Sequence, residues 1–103
     1  MILITGTVVV TPENHAAFRA VADAHVAKSR AEPGCVSYHV CEDVMAPGAF
    51  VFVEKWRDQE AVAAHFAKDY SRYLVQEIRR LATNDPQIEI HEIAGTRLVT
   101  PGR

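Results

Sequence analysis

The stretch from Glu32 to Phe66 constrains the fold of this chain more than any other part of it. Pro33 and Gly34 near its start are costly inside a helix, so they end a preceding helix and release the chain into a strand. Two β-rich runs follow, separated by a second Pro-Gly pair that is typical of a turn. A connection of about five to seven residues suits antiparallel neighbours. The stretch therefore predicts a β-hairpin, followed by a helix.

Each strand of the predicted hairpin has two different faces. In the first strand, Val36, Tyr38 and Val40 share one face, opposite Ser37, His39 and Cys41. In the second strand, Phe50, Phe52, Glu54 and Trp56 share one face, opposite Val51, Val53 and Lys55. Both faces of the second strand carry apolar side chains, so we predict a central strand that is covered on both sides. A carboxylate on such a covered face needs a partner.

The residues before the hairpin predict a strand and a helix. Ile2 to Val10 is rich in β-branched residues, and Gly6 within it indicates a bulge or a close approach by another group. A helix start follows, with Thr11 as the cap and a proline at the first helical position. We predict that this helix runs to about Arg30. Its buried stripe consists of Phe18, Val21, Ala22, His25, Val26 and Ser29.

The residues after the hairpin predict a second helix and a fourth strand. Asp58 is placed to cap a helix that extends to about Ala82, with a possible break at residues 68 and 69. Its apolar stripe consists of Val62, His65, Phe66, Tyr70, Tyr73, Leu74, Ile78 and Leu81. Residues 87 to 93 alternate as a strand, and residues 95 to 100 either extend it or reach a neighbouring subunit.

The order β-α-β-β-α-β predicts an α+β fold of the ferredoxin-like kind, an antiparallel sheet with two helices on one face. The length of 103 residues is that of a single domain, which we expect to span residues 1 to 103. The face of the sheet without helices also carries apolar side chains. In a monomer it would be a large exposed patch, so we predict a homodimer in which another chain covers it.

Composition and charge argue against several classes of partner. A formal net charge of -2 provides no basic surface for nucleic acid or for an anionic membrane. The longest apolar run is far too short to span a bilayer. Met1 leads directly into strand-like sequence without the pattern of a signal peptide, so we expect a cytoplasmic protein.

The sequence predicts neither a metal site nor a bound cofactor. Cys35 and Cys41, the only cysteines, are six residues apart along one strand, which is too far for a disulfide. Neither pairs with a histidine at zinc-finger spacing, and Cys35 is interpreted as a small buried apolar residue. No glycine-rich phosphate loop, nucleophile elbow or flavin motif is present in the sequence.

Two histidines lie on the helix stripes that face the sheet, and they predict a pocket there. Its helix side would be formed by His25, His65, Tyr70 and Tyr73. From the sheet it would receive Tyr38, Glu54 or Trp56, depending on which face points inward. Aromatic walls with a few polar groups suit a flat, partly hydroxylated organic ligand. Each of these residues also has a purely structural interpretation, as core or as the edge of an amphipathic helix.

Three motifs follow one another in a fixed order along the chain. They are Glu-Pro-Gly-Cys at residues 32 to 35 followed by Tyr38, the Phe-rich strand that ends in Glu54-x-Trp56, and Ala61-x-x-x-His65-Phe66. In this order they resemble the antibiotic biosynthesis monooxygenase family, and its quinol monooxygenase branch in particular. The resemblance extends from the first strand to about Ile93. It implies two sheets packed face to face as a dimeric α/β barrel.

The resemblance also implies a reaction, the oxygenation of a small aromatic quinol-like or anthrone-like substrate by dioxygen without metal or flavin. An electron-rich phenolate can itself pass an electron to dioxygen, so the protein needs to promote deprotonation. Ionising a phenol at pH 7 costs roughly 4 kcal/mol, which an imidazole base could offset. The predicted catalytic residues are His65 and His25, and the predicted substrate-binding residues are Trp56, Tyr70, Tyr38, Glu54 and Tyr73.

Other functions on the same scaffold are alternatives to this one. A haem-degrading branch uses an asparagine on the first strand, a tryptophan early in the second helix and a helix histidine, where this chain has Gly6, His65 and Val75. None of the three matches. A non-catalytic module that sequesters a small aromatic or aldehyde metabolite is an alternative of a different class. An isomerase or degradation enzyme for a small phosphorylated signalling metabolite would need a basic phosphate site, and the sequence identifies none.

Overall fold

Four strands and three helices follow one another in a computed structural model that describes residues 1 to 102. They are β1 (Ile2–Val9), α1 (His15–Arg30), β2 (Cys35–Glu42), β3 (Ala49–Trp56), α2 (Gln59–Phe66), α3 (Asp69–Leu81) and β4 (Glu89–Glu92). The strands form one antiparallel sheet in the spatial order β2-β3-β1-β4. This is the predicted α+β, ferredoxin-like arrangement.

The predicted hairpin and its turn are confirmed. Strands β2 and β3 pair antiparallel, and the chain turns between them at residues 43 to 48. Gly48 adopts φ 89°, a left-handed conformation that favours glycine. A β-carbon there would also lie 2.5 Å from the carbonyl oxygen of Val10, so the turn requires glycine for two reasons. The amide of Val10 donates a 2.9 Å hydrogen bond to the Gly48 carbonyl and ties the turn to the end of β1.

The predicted alternation of β2 is wrong at its first residue. The register against β3 shifts between Cys35 and Ser37, which leaves Val36 as an extra residue in β2. Tyr38 is buried on the helix side, but Val36 is 52% exposed. One extra residue reverses the direction of the side chains that precede it, and this bulge removes Val36 from the face that Tyr38 shares with Val40.

The helices begin and end close to the predicted positions, with two corrections. A short 3-10 turn at Pro12–Asn14 precedes α1, with Thr11 at the predicted N-cap position of this turn, but the Thr11 side chain makes no capping hydrogen bond. The chain enters α1 from this turn instead. The predicted cap of α2 is confirmed, because Oδ1 of Asp58 accepts a 2.9 Å hydrogen bond from the Ala61 amide. The single long helix predicted after it is divided at the expected break into α2 and α3.

The core lies between the helices and one face of the sheet. Alternate residues of β1 and β3 point to it, and they pack against the apolar stripes of the helices. The main contributors are Ile2, Ile4, Val8, Phe18, Phe50, Phe52, Trp56, Val62, Leu74 and Leu81. The opposite face carries Leu3, Val51, Val53 and Lys55, which are partly exposed.

The fourth strand is shorter than predicted, and all four of its residues are exposed. Residues 95 to 100 have no regular secondary structure, so they do not extend β4, and Leu98 is 92% exposed. Among residues 1 to 102, no helix has the length and apolar character that crossing a membrane requires.

Candidate active site

A cavity of about 330 Å³ lies between the sheet and the two helices α2 and α3. Most of its lining is apolar, and it comes from β1 and β3, from α3 and from the residues around β4. The apolar lining residues include Ile4, Val8, Phe52, Phe66, Leu74, Val75, Ile78, Ile88 and Ile90. Those at its mouth are about half exposed, and this group, the apolar rim, consists of Phe66, Val75, Ile88 and Ile90. The buried polar lining residues are His25, Tyr38, Glu54, His65 and Ser71.

The imidazole of His65 is held by a buried carboxylate. Its Nδ1 lies 2.7 Å from Oε2 of Glu32, and both side chains are less than one tenth exposed. The same oxygen accepts a short hydrogen bond from the hydroxyl of Tyr70. An ionised carboxylate can only accept, so Nδ1 carries the hydrogen and Nε2 has the free lone pair. Within residues 1 to 102, Nε2 makes no hydrogen bond, and His65 lines the cavity.

Two elements bring Glu32 and His65 together. Helix α1 ends at Arg30, and the amide of Glu32 donates a 3.0 Å hydrogen bond to the Ser29 carbonyl, which turns the chain at that point. Gly34 then contacts α2 so closely that a β-carbon on it would lie 2.3 Å from Cβ of Ala61. Ala61 and His65 are four residues apart and therefore lie on the same side of α2. The close approach at Gly34 consequently sets the position of His65 relative to Glu32.

The second histidine has a different environment. His25 is 4% exposed, and neither of its ring nitrogens has a hydrogen-bond partner among the described residues. Burial, with a smaller contribution from His65, lowers the pKa of His25 from 6.5 to about 4. The ring is therefore neutral at pH 7, and it makes edge contacts with Tyr38, His65 and Tyr70, at centroid distances of 5.3, 5.3 and 5.6 Å.

A buried pair of side chains from β3 supports the other side of His65. The indole Nε1 of Trp56 donates a 2.9 Å hydrogen bond to Oε1 of Glu54, which gives the carboxylate the partner that its position requires. Burial raises the pKa of Glu54, and the Trp56 hydrogen bond opposes that rise. The Trp56 ring packs against that of His65 at a centroid distance of 4.4 Å and an angle of 32°. Burial, with the Glu54 carboxylate, also raises the pKa of Tyr38.

The structure divides six of the seven predicted site residues between two cavities. His25, His65, Tyr38 and Glu54 line the 330 Å³ cavity, whereas Trp56 is fully buried behind His65. The two remaining tyrosines lie on the other side of α3. Tyr70 and Tyr73 line a second cavity of about 260 Å³ between α1 and α3, which we call the outer cavity, and Tyr73 is 52% exposed.

Sequence reasoning missed two polar residues of the site, Glu32 and Ser71. Glu32 belongs to the Glu-Pro-Gly-Cys motif, but in the sequence it looks like any solvent-exposed carboxylate near the end of a helix. Its burial is visible only in the tertiary structure. Ser71 is 7% exposed and lines the main cavity, and its Oγ has no hydrogen-bond partner among residues 1 to 102. A serine on the same helical face as Leu74 and Ile78 is the pattern that could have identified it.

The arrangement provides one imidazole with a free acceptor nitrogen, oriented by a carboxylate, at the buried end of an apolar cavity. This is the geometry of a general base, because the carboxylate fixes the ring tautomer and stabilises the imidazolium that forms. Within residues 1 to 102, no group of three or more His, Cys, Asp or Glu side chains is placed to hold a metal ion.

Fold and cavity together define a class, the ferredoxin-like α+β proteins that enclose a cavity between helices and sheet. The chain belongs to the antibiotic biosynthesis monooxygenase family, whose model matches residues 1–77. A solved structure named as a putative antibiotic biosynthesis monooxygenase from Deinococcus radiodurans superposes with a TM-score of 0.91 at 26% identity, covering 98% of this chain and 100% of that one.

Two relatives are similar in sequence. The uncharacterized protein sll1783 of Synechocystis is 33% identical over 93% of this chain, and this chain covers 65% of that protein's length, which is less than two thirds. The Bacillus subtilis protein with the name "Putative monooxygenase YcnE" is 37% identical over 63% of this chain and 68% of its own length. The family description and the name of the Bacillus subtilis protein both refer to a monooxygenase.

Proposed function

We propose that this chain is a cofactor-independent monooxygenase that oxidises a small, largely apolar quinol-like or anthrone-like substrate with dioxygen. The observation that carries the proposal is the hydrogen-bonded pair of His65 and Glu32 at the buried end of an apolar cavity. Membership of the antibiotic biosynthesis monooxygenase family supports the reaction class.

The first step is removal of a proton from a substrate hydroxyl by Nε2 of His65. The imidazolium that results is stabilised by the Glu32 carboxylate at 2.7 Å. The electron-rich phenolate then transfers an electron to dioxygen. For a hydroquinone the balanced reaction gives a hydroxyquinone and water, because one oxygen atom enters the ring and the other leaves as water with two hydrogens from the substrate.

The remaining polar residues have supporting roles in this proposal. Tyr70 donates to Glu32 and thereby fixes the carboxylate, and Trp56 packs on the His65 ring. Tyr38, Glu54 and the neutral His25 surround the substrate hydroxyl end of the cavity. Tyr73 is assigned to the outer cavity, where it forms part of a wall.

The charge and polarity of the cavity favour an apolar ring system over a phosphorylated metabolite. Among the described residues, Arg72 is the one cationic side chain that lines it, and its guanidinium donates to a carboxylate oxygen of Asp69 and to the Ala67 carbonyl. A phosphate group would need unpaired cations or several free donors. The aliphatic residues of β1, α3 and the apolar rim suit hydrocarbon rings instead.

The proposal includes a homodimer built on one domain per chain. The face of the sheet opposite the helices carries Leu3, Val51 and Val53, which are only partly covered in a single chain. Burying such a face against the same face of a second copy would remove apolar surface from water. It would also give the dimeric barrel that the family resemblance implies.

An oxygen-electrode screen tests the function. Metal-stripped protein is mixed with reduced naphthoquinones, reduced benzoquinones and anthrones, and oxygen uptake is compared with the uncatalysed rate. We expect uptake with the more apolar members, and calorimetric titration of a redox-inert naphthol under nitrogen measures binding separately. Binding without uptake for every compound would instead identify a non-catalytic small-molecule-binding module. A requirement for added metal or flavin would contradict the proposed mechanism.

A further inference from the structure

Two residues are shared by the main cavity and the outer cavity. His25 and Leu74 line both, so the two spaces adjoin at one imidazole ring and one leucine side chain. The His25 ring contacts His65, which lines the main cavity, and Tyr70, which lines the outer cavity. The outer cavity lies between α1 and α3 and is mostly apolar, with Lys28 and Tyr70 among its lining residues.

Hydrogen bonds do not fix the orientation of the His25 ring. Among the described residues, neither ring nitrogen has a hydrogen-bond partner of normal geometry, although unpaired buried polar atoms are uncommon and unfavourable in folded proteins. Rotation of the ring would therefore break no well-formed hydrogen bond to the described residues. After rotation, either ring nitrogen could form a hydrogen bond to water in one of the two cavities. Burial keeps the ring uncharged at neutral pH, so this rotation moves no net charge through the apolar interior.

We propose that the outer cavity is the entry and binding site for dioxygen, and that His25 and Leu74 form a gate through which it reaches the buried end of the main cavity. This inference rests on the proposed function. An aromatic substrate in the main cavity would fill the opening at the apolar rim and leave no path past itself to the reacting carbon. A second entrance at the opposite end of the main cavity, beside His65, would let dioxygen reach the reacting carbon while the substrate is bound.

The polarity of the outer cavity fits this ligand. Dioxygen is small, uncharged and apolar, so it favours an apolar space over water. Ala20, Val21 and Ala24 of α1 provide such a lining in a space of about 260 Å³. Gating by two side chains needs only rotamer changes, which are fast compared with enzyme turnover.

The fluorescence of Trp56 provides a test that needs no turnover. Trp56 is the only tryptophan, it is fully buried, and its ring packs against His65. Collisional quenching by dissolved dioxygen, measured from fluorescence lifetimes, therefore reports how easily dioxygen reaches this end of the main cavity. His25→Ala opens the gate, and Ala24→Phe fills the outer cavity from an exposed position on α1. Ala16→Phe is the matched control, because Ala16 is also exposed on α1 but lines neither cavity.

We expect His25→Ala to raise the dioxygen quenching constant of Trp56 severalfold. Adding Ala24→Phe to His25→Ala should return it nearly to the wild-type value, whereas adding Ala16→Phe should leave the increase intact. If His25→Ala raises quenching equally with and without Ala24→Phe, dioxygen enters through the apolar rim and the proposal is wrong. The proposal is also wrong if His25→Ala leaves quenching unchanged.

A kinetic experiment distinguishes failure of the proposed gate from failure of the proposed function. In a protein that turns over a quinol, Ala24→Phe should raise KM for dioxygen severalfold and leave KM for the quinol unchanged. If no quinol is oxidised, the proposed function fails while the quenching result still decides the gate. If turnover occurs and Ala24→Phe leaves both KM values unchanged, the function stands and the outer cavity is not the route.

Discussion

At the scale of single residues, the proposed function depends on how Glu32 changes the chemistry of His65. The carboxylate is buried, lies 2.7 Å from Nδ1 and is held in place by Tyr70. Hydrogen bonding of Nδ1 to a carboxylate leaves Nε2 as the acceptor. Without that partner, the ring could present either nitrogen to the cavity.

Substitution of Glu32 tests this directly. Glu32→Gln keeps the size of the side chain but removes the charge, so kcat for an oxidisable quinol should fall by about 10², the lower end of the range for loss of general base catalysis. Tyr70→Phe is the matched comparison, because it removes a second donor to Glu32 while leaving the bond to His65. Its loss of kcat should be clearly smaller. Steady-state oxygen uptake measures both, and wild-type turnover by Glu32→Gln would contradict the assigned role.

The buried His25 predicts a pH dependence of stability. The pKa of His25 in the folded protein is about 4, below the 6.5 of an unperturbed histidine. Between these two values the unfolded chain binds a proton that the folded chain does not, so stability falls as pH falls from 6.5 to 4. The largest possible effect is about 3 kcal/mol. Urea unfolding as a function of pH measures it.

The control for that titration is His25→Leu. Burial raises the pKa of Glu54, which makes a contribution of the opposite sign, and comparison with the variant separates the two residues. The free energy of unfolding of His25→Leu should depend less on pH across this window. Parallel pH profiles for wild type and variant would show that His25 is not the group responsible.

The sequence predicted which residues lie near the site better than it predicted their hydrogen-bond partners. It placed His25, His65, Tyr70 and Tyr73 at one pocket with Tyr38, Glu54 or Trp56 from the sheet, and His25, His65, Tyr38 and Glu54 line one cavity, whereas Tyr70 and Tyr73 line the other and Trp56 lines neither. Periodicity gives the direction of a side chain within one element, so these predictions needed only the stripe of a helix or the face of a strand. The partner of His65 is Glu32, 33 residues away in a loop, and no local pattern encodes that contact.

At the scale of elements, the relative placement of the loop before β2 and helix α2 determines the geometry of the site. Gly34 and Ala61 are in direct contact there, and the carbonyl of Gly34 accepts a 2.9 Å hydrogen bond from the amide of Arg57. Any side chain at position 34 would separate the loop from α2. Glu32 and His65 lie on the two sides of this contact.

Gly34→Ala is therefore expected to weaken both stability and activity. The new methyl group would start 2.3 Å from Cβ of Ala61, and overpacking of this kind costs about 1 to 3 kcal/mol. Displacement of α2 would also lengthen the bond between Glu32 and His65 and lower kcat. Gly95→Ala is the control, because nothing lies within 4 Å of the position where its β-carbon would be. Urea unfolding and oxygen uptake measure the two effects, and a Gly34→Ala protein as stable as wild type would contradict the argument.

The order of the helices and strands was predictable because each has a strong local sequence pattern. The bulge in β2 and the start of α1 were not predicted correctly. Proline-glycine pairs, the Asp58 cap and the apolar stripes predicted the helices and the hairpin correctly. The bulge at Val36 was not predictable, because the alternation of residues 36 to 41 continues without a break in the sequence. Thr11 takes the predicted N-cap position, but it caps a 3-10 turn before α1 and its side chain makes no capping hydrogen bond.

At the scale of the whole molecule, the face of the sheet opposite the helices predicts association of two chains. Sedimentation at micromolar concentration should give about twice the chain mass of 11.4 kDa. Val53→Glu places a charge in the centre of that face and should shift the equilibrium towards the monomer, since burying an unpaired charge is strongly unfavourable. Ala63→Glu, at an exposed position of α2, is the control and should leave the dimer intact. A wild-type protein that sediments as a monomer would rule out the dimeric barrel.

The central claim is that His65 acts as the base for oxygenation, and one measurement tests it most directly. Oxygen uptake with the best quinol is compared between metal-stripped wild type and His65→Gln, with thermal unfolding measured on both. We predict that His65→Gln remains folded while kcat falls by about 10² to 10⁴, the range expected for loss of a general base. Unchanged kcat in the His65→Gln protein would contradict histidine-assisted oxygenation.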